Sequence, residues 1–291
     1  MQQNDVVLRK ERDFSQVFSD MLLFFQQNWK RLFYLILIYA GPFLLIDGII
    51  SAYFSNFIYS IMTPGHFRYM DSYSGGMEFI SEILLWYLVI VLVKVAAYTF
   101  MMVIIYGYIS LYAEKGRNFD LNDVRSLAFS YFFPIIFASI VIGIVVVIGT
   151  LFCIIPGIYL GICLSFVYVI MLVERKGFGY AFNRSFQIAH KDFWMTLLII
   201  LAVAFSVGVV GALISLPMTG SNLIVMFKNV SGGEITQSHS IINMMLTTIT
   251  TVIMSFLTIF PIIALSLQYF SILEKEKRVY RPQPPINNPA V

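Results

Sequence analysis

Apolar residues form six long runs in this chain, and short polar segments that carry most of the charges separate them. The runs cover residues 33–54, 80–113, 133–153, 157–173, 195–217 and 243–273. A helix needs roughly 20 predominantly apolar residues to cross a bilayer, and each run comes close to or exceeds that length. No segment shows the alternating pattern of a half-buried strand. The pattern therefore predicts an all-α integral membrane protein with six transmembrane helices.

Three of the polar segments are amphipathic. Over residues 13–31, a capping-box variant opens the segment and apolar residues then recur every three or four positions. Residues 178–192 repeat this pattern before the fifth run, and residues 119–130 are a shorter version before the third. Such helices lie in the headgroup plane, so the chain is predicted to form three hairpins, each preceded by a cytoplasmic amphipathic helix. Any loop that enters a bilayer tends to show the same pattern, so a true internal repeat stays open.

Aromatic and basic residues mark two of the predicted entries into the membrane. Trp29, Lys30 and Arg31 end the amphipathic segment at 13–31, and Phe193 and Trp194 follow the one at 178–192. Aromatic rings favour the headgroup level, and cations favour anionic headgroups. These five residues are therefore predicted to be interfacial anchors.

The connections between the runs differ in length. Two long outer loops are predicted at 55–79 and 218–242, and a tight reversal is predicted at Pro156–Gly157. Proline fixes φ and glycine tolerates positive φ, which suits a sharp turn. Residues 1–278 are predicted to form one membrane domain. Residues 279–291 are rich in proline and asparagine and are predicted to be a disordered cytoplasmic tail.

The basic residues fall on one side of the predicted membrane. Of the 19 Lys and Arg residues, only Arg68 and Lys228 lie between runs on the opposite side, and Lys94 lies inside a run. Cytoplasmic loops retain Lys and Arg, so both termini are predicted to be cytoplasmic. The 12% of charged residues is far below the quarter or so of a soluble domain. The modest net charge of +3 indicates lipid headgroups as partners rather than nucleic acid.

Two short motifs lie within residues 119–219. The first is Ile-Pro-Gly-Ile-Tyr at 155–159, and the second has a Glu…Gly…Ala…Ser spacing over 174–185. With these motifs the chain resembles the membrane domain found with bacterial glycerophosphodiester phosphodiesterases and related stand-alone, uncharacterised six-span bacterial membrane proteins. The resemblance implies a multi-pass fold in the bacterial cytoplasmic (inner) membrane. It implies no particular chemistry.

Catalysis and cofactors have no support in the sequence. No segment is long and polar enough to form the catalytic barrel of a phosphodiesterase. Some relatives of this kind are labelled carotene oxygenases, whose iron needs four histidines. This chain has only His66, His190 and His239, and the predicted threading puts His190 on the opposite side from the other two. No enzyme, cofactor or metal site is therefore predicted.

Two charged residues lie inside the apolar runs, where a charge is costly and marks a candidate functional site. Asp47 is in the first run and Lys94 in the second, at similar predicted depths in the outer half of the bilayer. They form a candidate intramembrane charge pair. The pair could act as a proton or ion relay, or it could neutralise two charges and fix two helices together. Lys94 could also extend to the headgroups.

Glu78 and Glu82 form a candidate outer acidic pair, one helical turn apart at the predicted outer end of the second run. They could bind a cation. Alternatively, they are a solvated cap, because acidic residues near a helix N-terminus are stabilising.

The function predicted from these features is non-enzymatic. The favoured hypothesis is a scaffold or accessory subunit that contacts membrane lipids or other membrane proteins, in part through the aromatic outer loop at 56–73. The alternative is a small transporter or lipid-handling protein with a cavity near Asp47 and Lys94.

Overall fold

The computed structural model describes residues 5–61, 73–230 and 237–280, and within these ranges the chain forms helices and no strand. A π-helical segment, Ile36–Ala40, joins the first two α-helices. The α-helices are α1 (Phe14–Leu35), α2 (Gly41–Ile61), α3 (Tyr73–Lys115), α4 (Leu121–Phe152), α5 (Ile154–Leu164), α6 (Val167–Val173), α7 (Phe178–Lys191), α8 (Phe193–Val230), α9 (Gln237–Leu257) and α10 (Ile259–Tyr280).

Six helical stretches of the described chain are long and apolar enough to cross a membrane. They match the six predicted runs one to one, which confirms the prediction of an all-helical fold with six candidate spans. Six such stretches indicate a multi-pass membrane protein. The stretches are Phe14–Ser55, Ile80–Lys115, Leu121–Phe152, Ile154–Val173, Phe193–Ile224 and Ile241–Arg278.

The first two amphipathic segments are not separate helices, contrary to the prediction. Residues 13–31 belong mainly to α1, which continues through the π-helical segment into α2, and residues 119–130 largely form the start of α4. Pro42 lacks an N–H and its ring displaces the carbonyl one turn earlier, so the wider π turn just before it keeps the helix continuous. Only the third segment, α7, is separate, because Asp192 leaves the helical region with φ −145° and ψ 46°.

The start of α4 is fixed by Asp120, whose carboxylate accepts a hydrogen bond from the backbone N–H of Asn122. This is an N-cap, which provides an acceptor for a backbone donor that has no partner within the helix. The same backbone hydrogen bond lowers the pKa of Asp120, because it favours the charged carboxylate.

Two of the predicted spans are each divided into two helices. The fourth run is interrupted at Ser165–Phe166, and the sixth is interrupted at Thr258. Ser165 Oγ donates to the carbonyl of Ile162 at 2.8 Å, and Thr258 Oγ1 donates to that of Ser255 at 2.7 Å. Both hydroxyls therefore bond to carbonyls in the last turn of the helix before each break.

The reversal between α4 and α5 lies at Cys153 and not at Pro156–Gly157, which corrects the prediction. Cys153 alone is extended, with φ −171° and ψ 150°, and α5 begins at the next residue. Pro156 occupies the first turn of α5, where its missing N–H leaves no gap in the hydrogen bonding. Gly157 lets α5 approach α4 closely, since a Cβ there would lie 2.9 Å from Thr150 Cα.

The long outer loops are shorter than predicted. Helix α2 extends to Ile61, α3 begins at Tyr73, α8 extends to Val230 and α9 begins at Gln237. The remaining loop residues, 62–72 and 231–236, lie outside the described residues, as do residues 281–291 of the predicted tail.

The chain divides into two compact units. The first contains the described residues of Met1–Trp29, Ile105–Val203 and Phe260–Val291, and the second contains those of Lys30–Ile104 and Ala204–Ile259. In the first unit, the ring of Phe24 packs edge-on against Tyr108, whose hydroxyl donates to Asn28 Oδ1 at 3.0 Å. All three residues are buried, so this polar contact is part of the core.

Candidate functional site

The structure brings Asp47 and Lys94 together within the second unit. Lys94 Nζ lies 3.1 Å from each carboxylate oxygen of Asp47. The carboxylate also accepts a hydrogen bond from Ser51, one turn later on α2, whose hydroxyl donates to Oδ1 at 3.3 Å. Only 1% of the Asp47 side chain is exposed, against 38% for Lys94. The site is therefore a buried, fully engaged carboxylate held by an ammonium group that reaches the surface of the unit.

Helix α2 packs most closely against α9, and Gly48 lies at the contact. Thr248 Oγ1 donates to the carbonyl of Gly48 at 3.3 Å, and Ala52, one turn later, is buried. A Gly-x-x-x-Ala spacing at 48–52 allows two helices to approach closely, as small residues do in membrane proteins. This spacing, next to Asp47, was available in the sequence but was not recognised there.

A buried polar stripe follows α9 through Asn243, Thr247 and Thr250. These positions share one face of the helix at i, i+4 and i+7. The hydroxyl of Thr247 donates back to the Asn243 carbonyl at 2.8 Å. A hydroxyl that bonds within its own helix can be buried at low cost, so Thr247 by itself does not indicate a polar pathway.

We expect Gly48→Ala to destabilise the protein by about 1–3 kcal/mol, as overpacking usually does. The new Cβ would lie 2.9 Å from Thr248 Cγ2 and 3.2 Å from the Thr248 carbonyl oxygen, so α2 and α9 must separate. Gly208→Ala is the matched control, because a Cβ there meets no atom within 4 Å. Thermal unfolding in detergent measures both. Equal melting temperatures for the two variants would contradict the close packing of α2 on α9.

Glu78 and Glu82 are one turn apart on α3, but they do not cap it. The helix begins at Tyr73 and has no acidic residue in its first turn, so the predicted stabilisation by the helix N-terminus does not apply. Glu82 is exposed. The start of the helix was misplaced because residues 73–79 are too polar to read as part of an apolar run.

The predicted anchors lie in two different settings. Trp29, Lys30 and Arg31 are exposed within the continuous helix α1, so they mark no helix end. Phe193 and Trp194 do begin a helix, α8, and 75% of Trp194 is exposed.

An aromatic ladder runs along α7 and was not predicted. Phe178, Phe182, Phe186 and His190 are spaced by four residues, with successive ring centroids 5.7, 5.3 and 6.4 Å apart. His190 Nδ1 lies 2.6 Å from the Phe186 carbonyl oxygen and must donate to it. Its Nε2 is hydrogen-bonded to the hydroxyl of Tyr159, 2.5 Å away, and accepts from it when the imidazole is neutral. The pair holds the end of α7 against α5.

Ion pairs connect α7 to the last turns of α10. Glu276 contacts Arg184 at 3.1 Å and Lys191 at 2.6 Å, while Asp192 contacts Lys275 at 2.6 Å. The two partners of each ion pair are more than 80 residues apart in sequence, so no local pattern could have paired them. They fix the position of α7 within the first unit.

The second motif behind the family resemblance has structural roles in this chain. Glu174 accepts a hydrogen bond from the Tyr269 hydroxyl at 2.7 Å, and Ser185 Oγ donates to the Cys163 carbonyl at 2.5 Å. The pKa of Tyr180 is raised, mainly by its hydrogen bond to Glu174 and to a smaller extent by desolvation. The motif thus connects the end of α6 to α10, and α7 to α5.

Neither a metal site in the described residues nor a match to a known protein assigns a function to this site. Within residues 5–61, 73–230 and 237–280, no group of His, Cys, Asp and Glu side chains could hold a metal ion. Comparison with protein-family models, curated proteins and solved structures found no match to this chain.

Proposed function

We propose that this protein is a non-enzymatic scaffold or accessory subunit of the bacterial cytoplasmic membrane, with both termini in the cytoplasm. One observation carries the proposal: two of its candidate spans are largely uncovered. Only 17% of the most apolar part of α4, and the same share of α8, is buried. Exposed apolar helices of this length need lipid or another membrane protein beside them.

The uncovered surface is rich in large side chains. On α4, Phe133 is 75% exposed and Phe152 is 85% exposed, and on α8 Phe205 is 75% exposed. Aromatic side chains of this size dominate the energetics of helix and protein interfaces. The resemblance to stand-alone bacterial membrane proteins supports the same compartment.

The charge pair supports a structural role over transport. Asp47 is engaged by both Lys94 and Ser51 and is almost entirely buried. A relay needs a carboxylate that can exchange protons with water, whereas a neutralised pair serves to hold two helices. A small transporter or lipid-handling protein is the second candidate, and the partial exposure of Lys94 favours it.

Affinity purification of the full-length protein in mild detergent tests the scaffold. We expect a membrane protein to co-purify at a fixed ratio. The double change Phe133→Ala, Ile140→Ala on α4, or Leu201→Ala, Phe205→Ala on α8, should lower that ratio at least fivefold, because these side chains are exposed. Retention of the partner by both variants would contradict the proposal. Proton flux into proteoliposomes that Lys94→Gln abolishes would establish the transporter instead.

A further inference from the structure

The N-terminal segment before α1 is folded around the buried side chain of Arg12. Its guanidinium donates to the carbonyls of Val7, Leu8 and Lys10, and its Nε lies 2.9 Å from Asp20 Oδ2. An arginine that bonds three carbonyls and one carboxylate satisfies all sides of its planar group, so it fixes the path of the chain.

The same segment is attached to α10. The backbone N–H of Arg12 donates to Ser271 Oγ at 2.9 Å, and Val6 and Leu8 are buried. These contacts turn the intervening residues outward, so Arg9 and Lys10 are exposed. The exposed cations therefore stand on a fixed loop of the first unit.

A cleft of about 370 Å³ lies between this loop and the end of α10. Arg278 contacts Glu11 across the cleft at 3.2 Å, and Lys277 contacts Glu274 on its own helix at 2.6 Å. Each carboxylate in the cleft is therefore already matched by a cation. The lining residues are Arg9, Lys10, Glu11, Glu274, Lys277 and Arg278.

The cleft has a surplus of two positive charges. Lys277 and Arg278 are paired, and they also complement the negative end of the α10 dipole. Arg9 and Lys10 form no ion pair with any residue in the described part of the chain. The positive charge that remains for a ligand is thus that of Arg9 and Lys10.

We propose that this cleft binds the phosphate of an anionic phospholipid headgroup, with Arg9 and Lys10 as its ligands. The inference rests on the proposed membrane function, because a lipid headgroup reaches the cleft only if the apolar helices are in a bilayer. Val7, two residues before Arg9, is 66% exposed, which places an apolar side chain beside the cations. Cations flanked by exposed apolar groups suit the boundary between headgroups and acyl chains better than they suit a free anion.

Lipid titrations of the purified full-length protein in mild detergent test this site. The probes are short-chain phosphatidylglycerol, short-chain phosphatidylcholine and inorganic phosphate, and native mass spectrometry or the shift in melting temperature reports binding. We expect phosphatidylglycerol to bind most tightly. Arg9→Gln, Lys10→Gln should weaken its binding about 10- to 30-fold, as loss of two membrane-surface cations usually does. The control, Arg125→Gln, Lys176→Gln, removes two exposed charges outside the cleft and should leave binding unchanged.

Three results would overturn the inference. They are equal affinity for the two lipids, equal loss in the cleft and control variants, and binding of inorganic phosphate as tight as that of phosphatidylglycerol. The last would indicate a site for free anions. None of these results affects the scaffold, which is tested separately by co-purification of a membrane protein and its loss in the α4 and α8 variants.

Discussion

Lys94→Gln is expected to destabilise the folded protein by about 3–5 kcal/mol, the usual cost of removing one partner from a buried ion pair. The change leaves the Asp47 carboxylate, whose side chain is 1% exposed, with only the Ser51 hydroxyl beside it. Asp47→Asn should cost less, because the Lys94 side chain is 38% exposed and its charge can be solvated without a partner.

A double-mutant cycle separates this pair from two independent charges. The double variant Asp47→Asn, Lys94→Gln has no charge left to compensate, so it should be more stable than Lys94→Gln alone. Denaturant unfolding of the purified variants in detergent gives the three free-energy changes. If the losses in the two single variants simply add, the two side chains do not stabilise one another and the pair has no structural role.

Gly157→Ala is expected to have the second large effect, about 1–3 kcal/mol or more of destabilisation. Its Cβ would overlap Thr150 Oγ1 and lie 2.9 Å from Thr150 Cα, which is backbone and cannot rotate away. Helix α5 would have to move off α4 next to the reversal at Cys153. Melting temperature in detergent is again the measurement.

Gly161→Ala is the control for Gly157→Ala on the same helix. A Cβ at Gly161 meets no atom within 4 Å, and alanine favours a helix over glycine, so this variant should be neutral or slightly more stable. The double variant Gly157→Ala, Thr150→Ala removes the hydroxyl and should recover only part of the stability, because the backbone contact remains. An effect of the same size at both glycines would show that α4 and α5 are not in close contact.

Much of the helical architecture follows from local sequence. An apolar run of roughly 17 or more residues favours a helix by length and composition, so all six candidate spans were found. The first and last residues of these helices were not predicted, because single residues determine them. A π turn before Pro42 joins α1 to α2, turns at Ser165–Phe166 and Thr258 divide two runs, and one extended residue, Cys153, makes the reversal.

The candidate site was predictable only where a rare residue marked it. Asp47 and Lys94 stand out because charges inside apolar runs are uncommon, and similar predicted depths were enough to suggest their contact. Arg12 gave no such signal, because the residues before α1 have no periodic pattern. Its partners range from the neighbouring loop to Ser271, and contacts over that distance in sequence require the fold.

We propose that the chain crosses the membrane six times, with both ends on the cytoplasmic side. Reporters fused in turn to the N-terminus and the C-terminus test it most directly, using a fluorescent protein that is bright only in the cytoplasm and a phosphatase that is active only outside it. The proposal predicts bright, phosphatase-negative fusions at both ends. Reporters that place the two ends in opposite compartments, or a polypeptide that stays dissolved without detergent, would contradict it.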